Sequence, residues 1–461
     1  MNNLHRQILR LAWPAIATNI TTPLLALIDV AIVGHIDGGN LIAAVAVGGT
    51  LFNILYWLFA FLRMGTSGMT AQAYGSLNKT EQLLVLLRGC FIAITGGLLL
   101  YVLAPLVGPH VIRLIDSGPT SQTALQYFNI VILGAPGVLM TFVVSGWLLG
   151  MQRSKPIMWI ALATNLLNIG LSCVFVFMFK LGLTGVALGT AISQLVGALI
   201  GISVVIKVLH KTQPTRTENS GWWKNNLQPI FEPNAWKSMF RINTDIFFRT
   251  LCLATVTLWF THEGARMGTD ILAANSLLMQ LFLVFSYFMD GFAFGGEALA
   301  GRYFGARDFK TLNYTVKALF LWGIITSLIF TVLYFFAGDL FLSILTDDTH
   351  VVGAASDFKI WAITVPLTGF AAFTWDGILI GMTRTRYLLA SMAIAMAIFF
   401  GLYYGGLELS THCTFAPGFI ISHPNHILWF AFVIYLFSRG VVSTILYRKF
   451  ISRIDKTQPS T

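Results

Sequence analysis

The hydrophobic pattern of this chain is a series of long apolar runs that recur from end to end, separated by short polar connections. Each run is about twenty residues or longer, the length of helix that crosses a hydrocarbon layer of roughly 30 Å. Helices that are apolar on every side have no face to show to water, which excludes a soluble enzyme with a large core. The pattern predicts twelve transmembrane helices, near residues 8–33, 41–69, 82–107, 122–149, 157–179, 185–208, 238–262, 271–300, 312–337, 354–381, 387–405 and 427–448.

Composition also indicates an all-α integral membrane protein. Of the 461 residues, 56% are hydrophobic and only 10% are charged, whereas a soluble domain carries about 25% charged residues. The four cysteines form no disulfide pattern, and we interpret Cys90, Cys173, Cys252 and Cys413 as packing residues. The first span is longer than a secretory signal core and no small-residue cleavage site follows it, so we expect it to remain as an anchor.

The distribution of lysine and arginine predicts the orientation in the membrane. One set of alternate segments, which includes both terminal segments, holds 23 basic residues, five of them from Arg439 onward. The opposite set holds only Arg113, Lys180, Arg266 and Lys359. Because basic residues collect in cytoplasmic connections, we expect both termini to be cytoplasmic. The net charge of +10 follows from this rule and from contact with anionic lipid headgroups, so it does not indicate nucleic-acid binding.

An internal repeat divides the chain into two halves. The segment GHIDGGNLIAAVAV (34–47) aligns with GARMGTDILAANSL (264–277), and AYGSLNK (73–79) aligns with YFGARDF (303–309), both at an offset of 230 residues. Farther along, SGWLLGMQRSKP (145–156) aligns with DGILIGMTRTRY (376–387) at an offset of 231 residues.

The repeat predicts two lobes with the same orientation. Each half has six spans, an even number, so both halves enter the membrane from the cytoplasm and are related by a pseudo-two-fold axis along the membrane normal. We expect an N-terminal lobe at 1–208, a cytoplasmic linker at 209–237, a C-terminal lobe at 238–450 and a cytoplasmic tail at 451–461. A channel could also arise by duplication, but two lobes around a central cleft favour alternating access.

Four segments resemble a known family. FLRMGTSGMTAQAYG (61–75), TDIFFRTL (244–251), DGFAFGGEALAGRYFGARD (290–308) and WDGILIGMTRT (375–385) closely resemble the DinF-like branch of the multidrug and toxic compound extrusion (MATE) transporters, and the resemblance covers nearly the whole chain. It implies a V-shaped pair of six-helix lobes in a bacterial inner membrane. It further implies a secondary antiporter that exports organic or cationic toxic compounds in exchange for protons or sodium ions.

Asp29 is an ionisable residue inside the apolar run LLALIDVAIVGHI (24–36), and no lysine or arginine lies within fifteen residues of it. An ionised aspartate at the centre of a membrane helix costs about 2.5–3.5 kcal/mol on the insertion scale, and protonation removes most of that cost. Intramembrane ionisable residues are functional candidates for this reason. The resemblance implies cation coupling at this position, and the alternative is a protonated aspartate that only joins helices.

Three neutral polar residues are expected to surround Asp29. The segment TNLLNIGLSCVF (164–175) resembles the fifth helix of the family, with Asn168 at its asparagine, and Thr190 matches a threonine of the sixth helix. Many members have a second aspartate four residues after the asparagine, whereas this chain has Ser172. A single carboxyl with neutral partners favours proton coupling, and a sodium-coupled exporter is the alternative.

The second half has a set of charged residues that the first half lacks. Ala60, Ser67 and Ser145 stand at the positions equivalent to Asp290, Glu297 and Asp376. We expect a network that either holds the second lobe together or forms a second coupling site, with a helical pair between Asp245 and Arg249. We also hypothesise that Arg63 is an inner gate that bridges the lobes; the alternative is that it caps carbonyls in its own lobe. With Arg63, the candidate network has two basic and four acidic residues: Arg63, Arg249, Asp245, Asp290, Glu297 and Asp376.

Other classes of protein are less compatible with the sequence. It has no GxxxxGK[ST] loop for an ATP-driven pump and neither HExxH nor GxSxG for a protease or hydrolase, so we do not expect an enzyme. No metal site or cofactor is expected beyond the coupling ion. A flippase for lipids or lipid-linked precursors is the remaining alternative. The expected partners are small organic substrates and membrane lipids, with no nucleic acid, and the expected state is a monomer.

Overall fold

The protein is described here by a computed structural model that covers residues 2–34, 38–115, 118, 120–212, 228–412 and 423–457. Within these ranges the chain is almost entirely helical and contains no strand. Helices suit a chain in lipid, because each helix satisfies its own backbone hydrogen bonds where no water is present. Most of the predicted linker 209–237, the end of the tail 451–461 and Cys413 lie outside the described residues.

The described residues of the first half form eight α-helices. Ala60 alone separates α2 from α3, a 3₁₀ turn at Ile132–Gly134 joins α5 to α6, and a π-helical turn at Val174–Met178 extends α7. The helices are α1 (Asn2–Gly34), α2 (Gly38–Phe59), α3 (Phe61–Gly75), α4 (Lys79–Ile115), α5 (Thr120–Val131), α6 (Ala135–Gly150), α7 (Ser154–Cys173) and α8 (Gly182–Thr212).

In the described part of the second half, six long α-helices follow a 3₁₀ turn at Gln228–Phe231. They are α9 (Pro233–Arg266), α10 (Thr269–Gly305), α11 (Phe309–Leu345), α12 (Thr349–Gly381), α13 (Thr385–His412) and α14 (Pro424–Thr457). Over the described part of the chain, ten helical segments are long and apolar enough to cross a membrane. The segments α1 and α9 are not among these ten; α9 carries Asp245 and Arg249 in its interior.

The local structure repeats at the sequence offsets. The turns after α3 and α10 place Leu77 and Arg307, which are 230 residues apart, at φ 57° and φ 56°. The next residue in each half is an N-cap: the side chain of Asn78 accepts a hydrogen bond from the Glu81 amide at 3.0 Å, and that of Asp308 accepts one from the Thr311 amide at 2.9 Å. The two halves therefore share turn and capping geometry, not only hydrophobic pattern.

Equivalent residues also make reciprocal contacts between α3 and α10. A Cβ atom added at Gly75 would overlap the backbone of Arg302, and one added at Gly305 would overlap the backbone of Gln72. Arg302 is the repeat equivalent of Gln72, and Gly305 that of Gly75. When i contacts j and the equivalent of j contacts the equivalent of i, the contact has the pattern of a two-fold interface.

The same reciprocity extends to hydrogen bonds and to the GxxxG pairs. Gln72 Nε2 donates to Thr383 Oγ1 at 2.9 Å, and Arg302 Nη1 donates to Gln152 Oε1 at 3.1 Å. Thr383 and Gln152 are equivalents at the offset of 231. In each half, the first glycine of the GxxxG pair (Gly146 or Gly377) lies so close to a neighbouring helix that a Cβ would overlap its backbone. Small residues thus allow close helix approach here.

Helix α10 lies at the centre of the packing. It packs against α12 and α11 in its own half and against α1 and α3 of the first half. Charged residues on α10, such as Asp290 and Glu297, can therefore reach partners from both halves.

Candidate functional site

Asp29 is buried five residues before the end of α1. The residue is 8% exposed, and its Oδ1 atom has no hydrogen-bond partner among the described residues. Leaving a buried polar atom unpaired costs about 1–3 kcal/mol, so such atoms call for a proton, a water molecule or an ion. The position thus has the property expected of a residue that exchanges a proton.

Asn168, Ser172 and Thr190 lie together where α7 packs against α8. Asn168 Nδ2 donates to Thr190 Oγ1 at 3.0 Å, and Thr190 Oγ1 in turn donates to the Val186 carbonyl at 3.0 Å. The helices approach closely here because Gly189 faces the backbone of Ser172. Asn168 Oδ1 and Ser172 Oγ are buried without partners in the described ranges.

Two tyrosines that the sequence analysis did not identify connect these residues to Asp29. Tyr127 of α5 interacts electrostatically with Asp29 and with Tyr56 of α2, and it lies near Thr190 of α8. The Tyr56 hydroxyl is buried and has no partner within the described part of the chain. A tyrosine beside an intramembrane acid can donate a hydrogen bond to it. Tyr127 lies 98 residues after Asp29 in the chain, and no sequence motif indicates that helix packing brings the two close together.

The first-half site therefore combines one acid with several neutral oxygen atoms on neighbouring helices. Asp29, Tyr56, Asn168 and Ser172 each contribute an oxygen that lacks a partner among the described residues. Such a set can hold one proton on Asp29 and hydrogen-bond to a water molecule. In the described ranges, no group of three or more histidine, cysteine, aspartate or glutamate residues could hold a metal ion.

Arg63 forms a bidentate ion pair across the two halves. Its Nη1 and Nη2 atoms donate to Glu297 Oε2 and Oε1 at 3.2 and 3.3 Å. The guanidinium group also lies 4.1 Å from the centre of the Phe294 ring. Ser67, which is the repeat equivalent of Glu297, donates a hydrogen bond to Glu297 Oε2. The contact that an inner gate requires is present, and the gating role itself remains a proposal.

A second ion-pair group forms around Asp376. Arg249 and Arg439 both donate to Asp376 Oδ2, the latter at 2.8 Å. The predicted pair between Asp245 and Arg249 is wrong, because Asp245 instead accepts a hydrogen bond from the Thr385 hydroxyl at 2.7 Å. A spacing of four residues in a helix permits an ion pair between Asp245 and Arg249. Helix α12 instead places Asp376 beside the face of α9 that carries Arg249, and Arg249 pairs with Asp376.

Arg439 is a network residue that the sequence analysis assigned wrongly. It was grouped with the cytoplasmic C-terminal residues, yet it is 3% exposed and lies in the middle of α14. The criterion that identified Asp29, an isolated charge in an apolar run, also applies to Arg439. The prediction that basic residues concentrate in one set of connections does not depend on this single residue.

These charged groups line one cavity of about 570 Å³. The charged residues that line the cavity are three basic ones, Arg63, Arg249 and Arg439, and three acidic ones, Asp290, Glu297 and Asp376. The expected excess of two acidic residues is therefore not found there. Asp245 does not line the cavity. Asp290 has electrostatic interactions with both groups but has no hydrogen bond or ion pair with another described residue. The rest of the wall is largely apolar and includes Trp57, Met64, Leu253, Phe260, Met279, Phe282 and Phe373. An apolar cavity with a few convergent polar groups is typical of a small-molecule site.

Comparison with known proteins establishes the family. The sequence model of the MatE family matches residues 14–174 and 246–404, one segment in each half. The chain belongs to the MatE (MATE) family. The resemblance to its DinF-like branch is confirmed, because the chain is 33% identical to DNA damage-inducible protein F of Escherichia coli (strain K12) over 95% of this chain and 91% of the relative.

More distant members of the MATE family support the fold. A probable multidrug resistance protein NorM of Bacillus anthracis is 24% identical over 85% of each chain. The crystal structure of MATE in the bent conformation superposes with a TM-score of 0.82 at 18% identity and covers 99% of this chain and 98% of that one. An outward-facing MATE transporter of the MOP superfamily gives a TM-score of 0.78 at 17% identity, with coverage of 99% and 97%. The protein is therefore a membrane-embedded helical protein with the MATE fold.

Proposed function

We propose that this MATE protein is a secondary active antiporter that exports organic, cationic toxic compounds in exchange for protons. The observation that carries the proposal is Asp29, a buried acid with an unpaired carboxyl oxygen and neutral hydrogen-bonding neighbours. A protonated Asp29 is stable in this setting, and deprotonation leaves a charge that the neighbouring hydroxyl groups can only partly stabilise. Proton occupancy can therefore change the packing of α1.

The two-lobe architecture belongs to the same proposal. The chain forms twelve spans when α2 and α3 are counted as one and α5 and α6 as another, with lobes at 1–208 and 238–450. The reciprocal contacts of Gly75 with Arg302 and of Gly305 with Gln72 support a pseudo-two-fold axis between α3 and α10. In alternating access, these contacts close the cytoplasmic side and separate when it opens.

The substrate class is proposed from the cavity. Its wall is largely apolar and aromatic, which suits hydrophobic compounds of varied shape. Asp290 is the acid in this cavity without an ion pair in the described ranges, so it can attract a cationic group. A relative that is named a probable multidrug resistance protein supports the same class.

The cellular setting is also a proposal. We place the protein in a bacterial inner membrane with both termini in the cytoplasm, functioning as a monomer without a cofactor. The proton is the expected coupling ion, because this chain has Ser172 at the position where the resemblance implies a second aspartate in many members of the family. Strict sodium dependence would instead support the sodium-coupled alternative, and movement of labelled lipid would support the flippase alternative.

The decisive experiment measures transport by purified protein in proteoliposomes after a pH jump. Wild-type protein should move an organic cation such as ethidium when a proton gradient is imposed. Asp29→Asn mimics the protonated acid, so the variant should insert and fold but lose coupled transport. Asp308→Asn is a matched control, because it removes one acid from a loop and asparagine also caps helices. Wild-type transport by Asp29→Asn would refute the coupling role.

A further inference from the structure

A groove of about 450 Å³ lies on the second half between α11 and α14, with α12 behind it. Apolar residues near it on the same two helices are exposed, for example Leu321 at 48% and Ile445 at 58%. In a membrane-embedded chain, an exposed apolar helix face contacts lipid. The groove therefore opens toward the bilayer and is separate from the cavity that contains Asp290.

The floor of the groove is a row of three aromatic residues. Trp375 lies between Phe320 and Tyr447, with ring centres 5.1 and 4.5 Å away. Its indole nitrogen donates to the Thr444 hydroxyl at 2.7 Å, which fixes the ring. Both Trp375 and Tyr447 are buried. A fixed aromatic wall of this kind is suited to the side of an acyl chain.

The rim of the groove carries two cations. Lys317 on α11 and Arg448 on α14 line it, together with Asn313 and Ser452. Both cations are exposed, and neither forms an ion pair with any residue in the described ranges. Lys317 lies five residues inside the predicted span 312–337, or about 7–8 Å along the helix at 1.5 Å per residue. A cation at that depth is costly unless it snorkels to the interface or meets an anion.

The groove is not a by-product of the repeat. Leu87 stands at the first-half position equivalent to Lys317, and Val144 at the position equivalent to Trp375. The first half therefore lacks the charge of Lys317 and the ring of Trp375 at the equivalent positions. Helix packing that the two halves share does not require either feature.

We propose that this groove binds one anionic phospholipid of the cytoplasmic leaflet. Lys317 and Arg448 contact the phosphate, Asn313 and Ser452 hydrogen-bond to the headgroup, and one acyl chain lies along the aromatic floor. Basic pockets between membrane helices on the cytoplasmic side have the charge to select such lipids. Bound lipid would contact α12 at Trp375, the residue next to Asp376.

The test compares lipid binding by full-length protein in nanodiscs or mixed micelles, using phosphatidylglycerol and phosphatidylcholine as probes. One variant combines Lys317→Gln with Arg448→Gln. The matched control combines Lys310→Gln with Lys449→Gln, which removes the same charge from exposed positions on the same two helices outside the groove. At about 1 kcal/mol for each cation, the groove variant should bind phosphatidylglycerol roughly thirty-fold more weakly.

We expect wild type and the control variant to retain the preference for phosphatidylglycerol and the groove variant to lose it. Equal losses in both double variants would show a general surface attraction and overturn the proposal, as would equal binding of the two lipids by wild type. Glycerol 3-phosphate is a further probe: if it displaces phosphatidylglycerol at equal concentration, the site binds the anion alone and not a lipid. Ser452→Trp, which narrows the groove and keeps both cations, should weaken lipid binding as well.

Discussion

Replacing Gly75 or Gly305 with alanine should force apart the ends of α3 and α10 at which these glycines lie. An alanine Cβ at Gly305 would lie 2.6 Å from Gln72 Cα and 2.7 Å from Gln72 C, and one at Gly75 would lie 2.7 Å from Arg302 C. All of these neighbours are backbone atoms, so no side chain can rotate away. Ordinary contact begins near 3.4 Å, so the two helices must separate locally by about 0.7 Å or more.

The energetic cost falls on one state of the transport cycle. Overpacking at a close contact costs about 1–3 kcal/mol. If the contact exists only when the cytoplasmic side is closed, the substitution destabilises that state alone. The ratio of open to closed protein should then rise by a factor of about 5–150.

Spin labels can measure this shift as a distance distribution. We would attach labels at Lys79 and Lys310, which are exposed and belong to different halves, after replacing Cys90, Cys173, Cys252 and Cys413. Both glycine variants should populate a longer distance than wild type and should transport more slowly. Gly49→Ala and Gly401→Ala are matched helix controls, because a Cβ at either position meets no atom within 4 Å. An unchanged distribution in folded Gly75→Ala and Gly305→Ala protein would refute a cytoplasmic gate at this contact.

Three further predictions concern coupling, the inner ion pair and a helix cap. Because Ser172 cannot supply a second carboxylate, export should follow a proton gradient and persist without sodium. Transport in sodium-free proteoliposomes measures this, and strict sodium dependence would contradict proton coupling. A double-mutant cycle with Arg63→Gln and Glu297→Gln should show coupling in transport, whereas coupling below roughly 0.5 kcal/mol would leave the bridge unsupported. Removing the N-cap in Asp308→Ala should lower stability by about 1 kcal/mol. Hydrogen bonds from Thr311 lower the pKa of Asp308 below its usual range. The contribution of the ionised Asp308 to folding stability is therefore complete at neutral pH and is lost as pH falls through that lowered pKa. Thermal unfolding at several pH values should show a smaller acid-induced loss of stability for Asp308→Asn than for wild type.

The sequence was sufficient to predict the helical membrane fold and the family. Hydropathy and length determine which segments are stable in a bilayer, since every backbone group there must be satisfied within a helix or barrel. The repeat was also readable, because glycine is kept at the close approach (Gly75 and Gly305) and a capping residue is kept at the helix start (Asn78 and Asp308). Asp29 could be found for a similar reason: a single charge in an apolar run is conspicuous at one position and needs no knowledge of its neighbours.

Only the tertiary structure decided which charged side chains form ion pairs and with which partners. Arg63 bonds to an acid 234 residues away, Arg249 to one 127 residues away and Arg439 to one 63 residues away. The spacing of Asp245 and Arg249 predicted a pair that does not form. The sequence likewise did not indicate that Tyr127 meets Asp29. Helix packing sets these partners, because a side chain reaches only a few ångströms and the rotation of each helix about its axis determines which face it presents. Packing places small residues such as Gly305 where α3 and α10 nearly touch, and Arg63 of α3 lies within reach of Glu297 of α10.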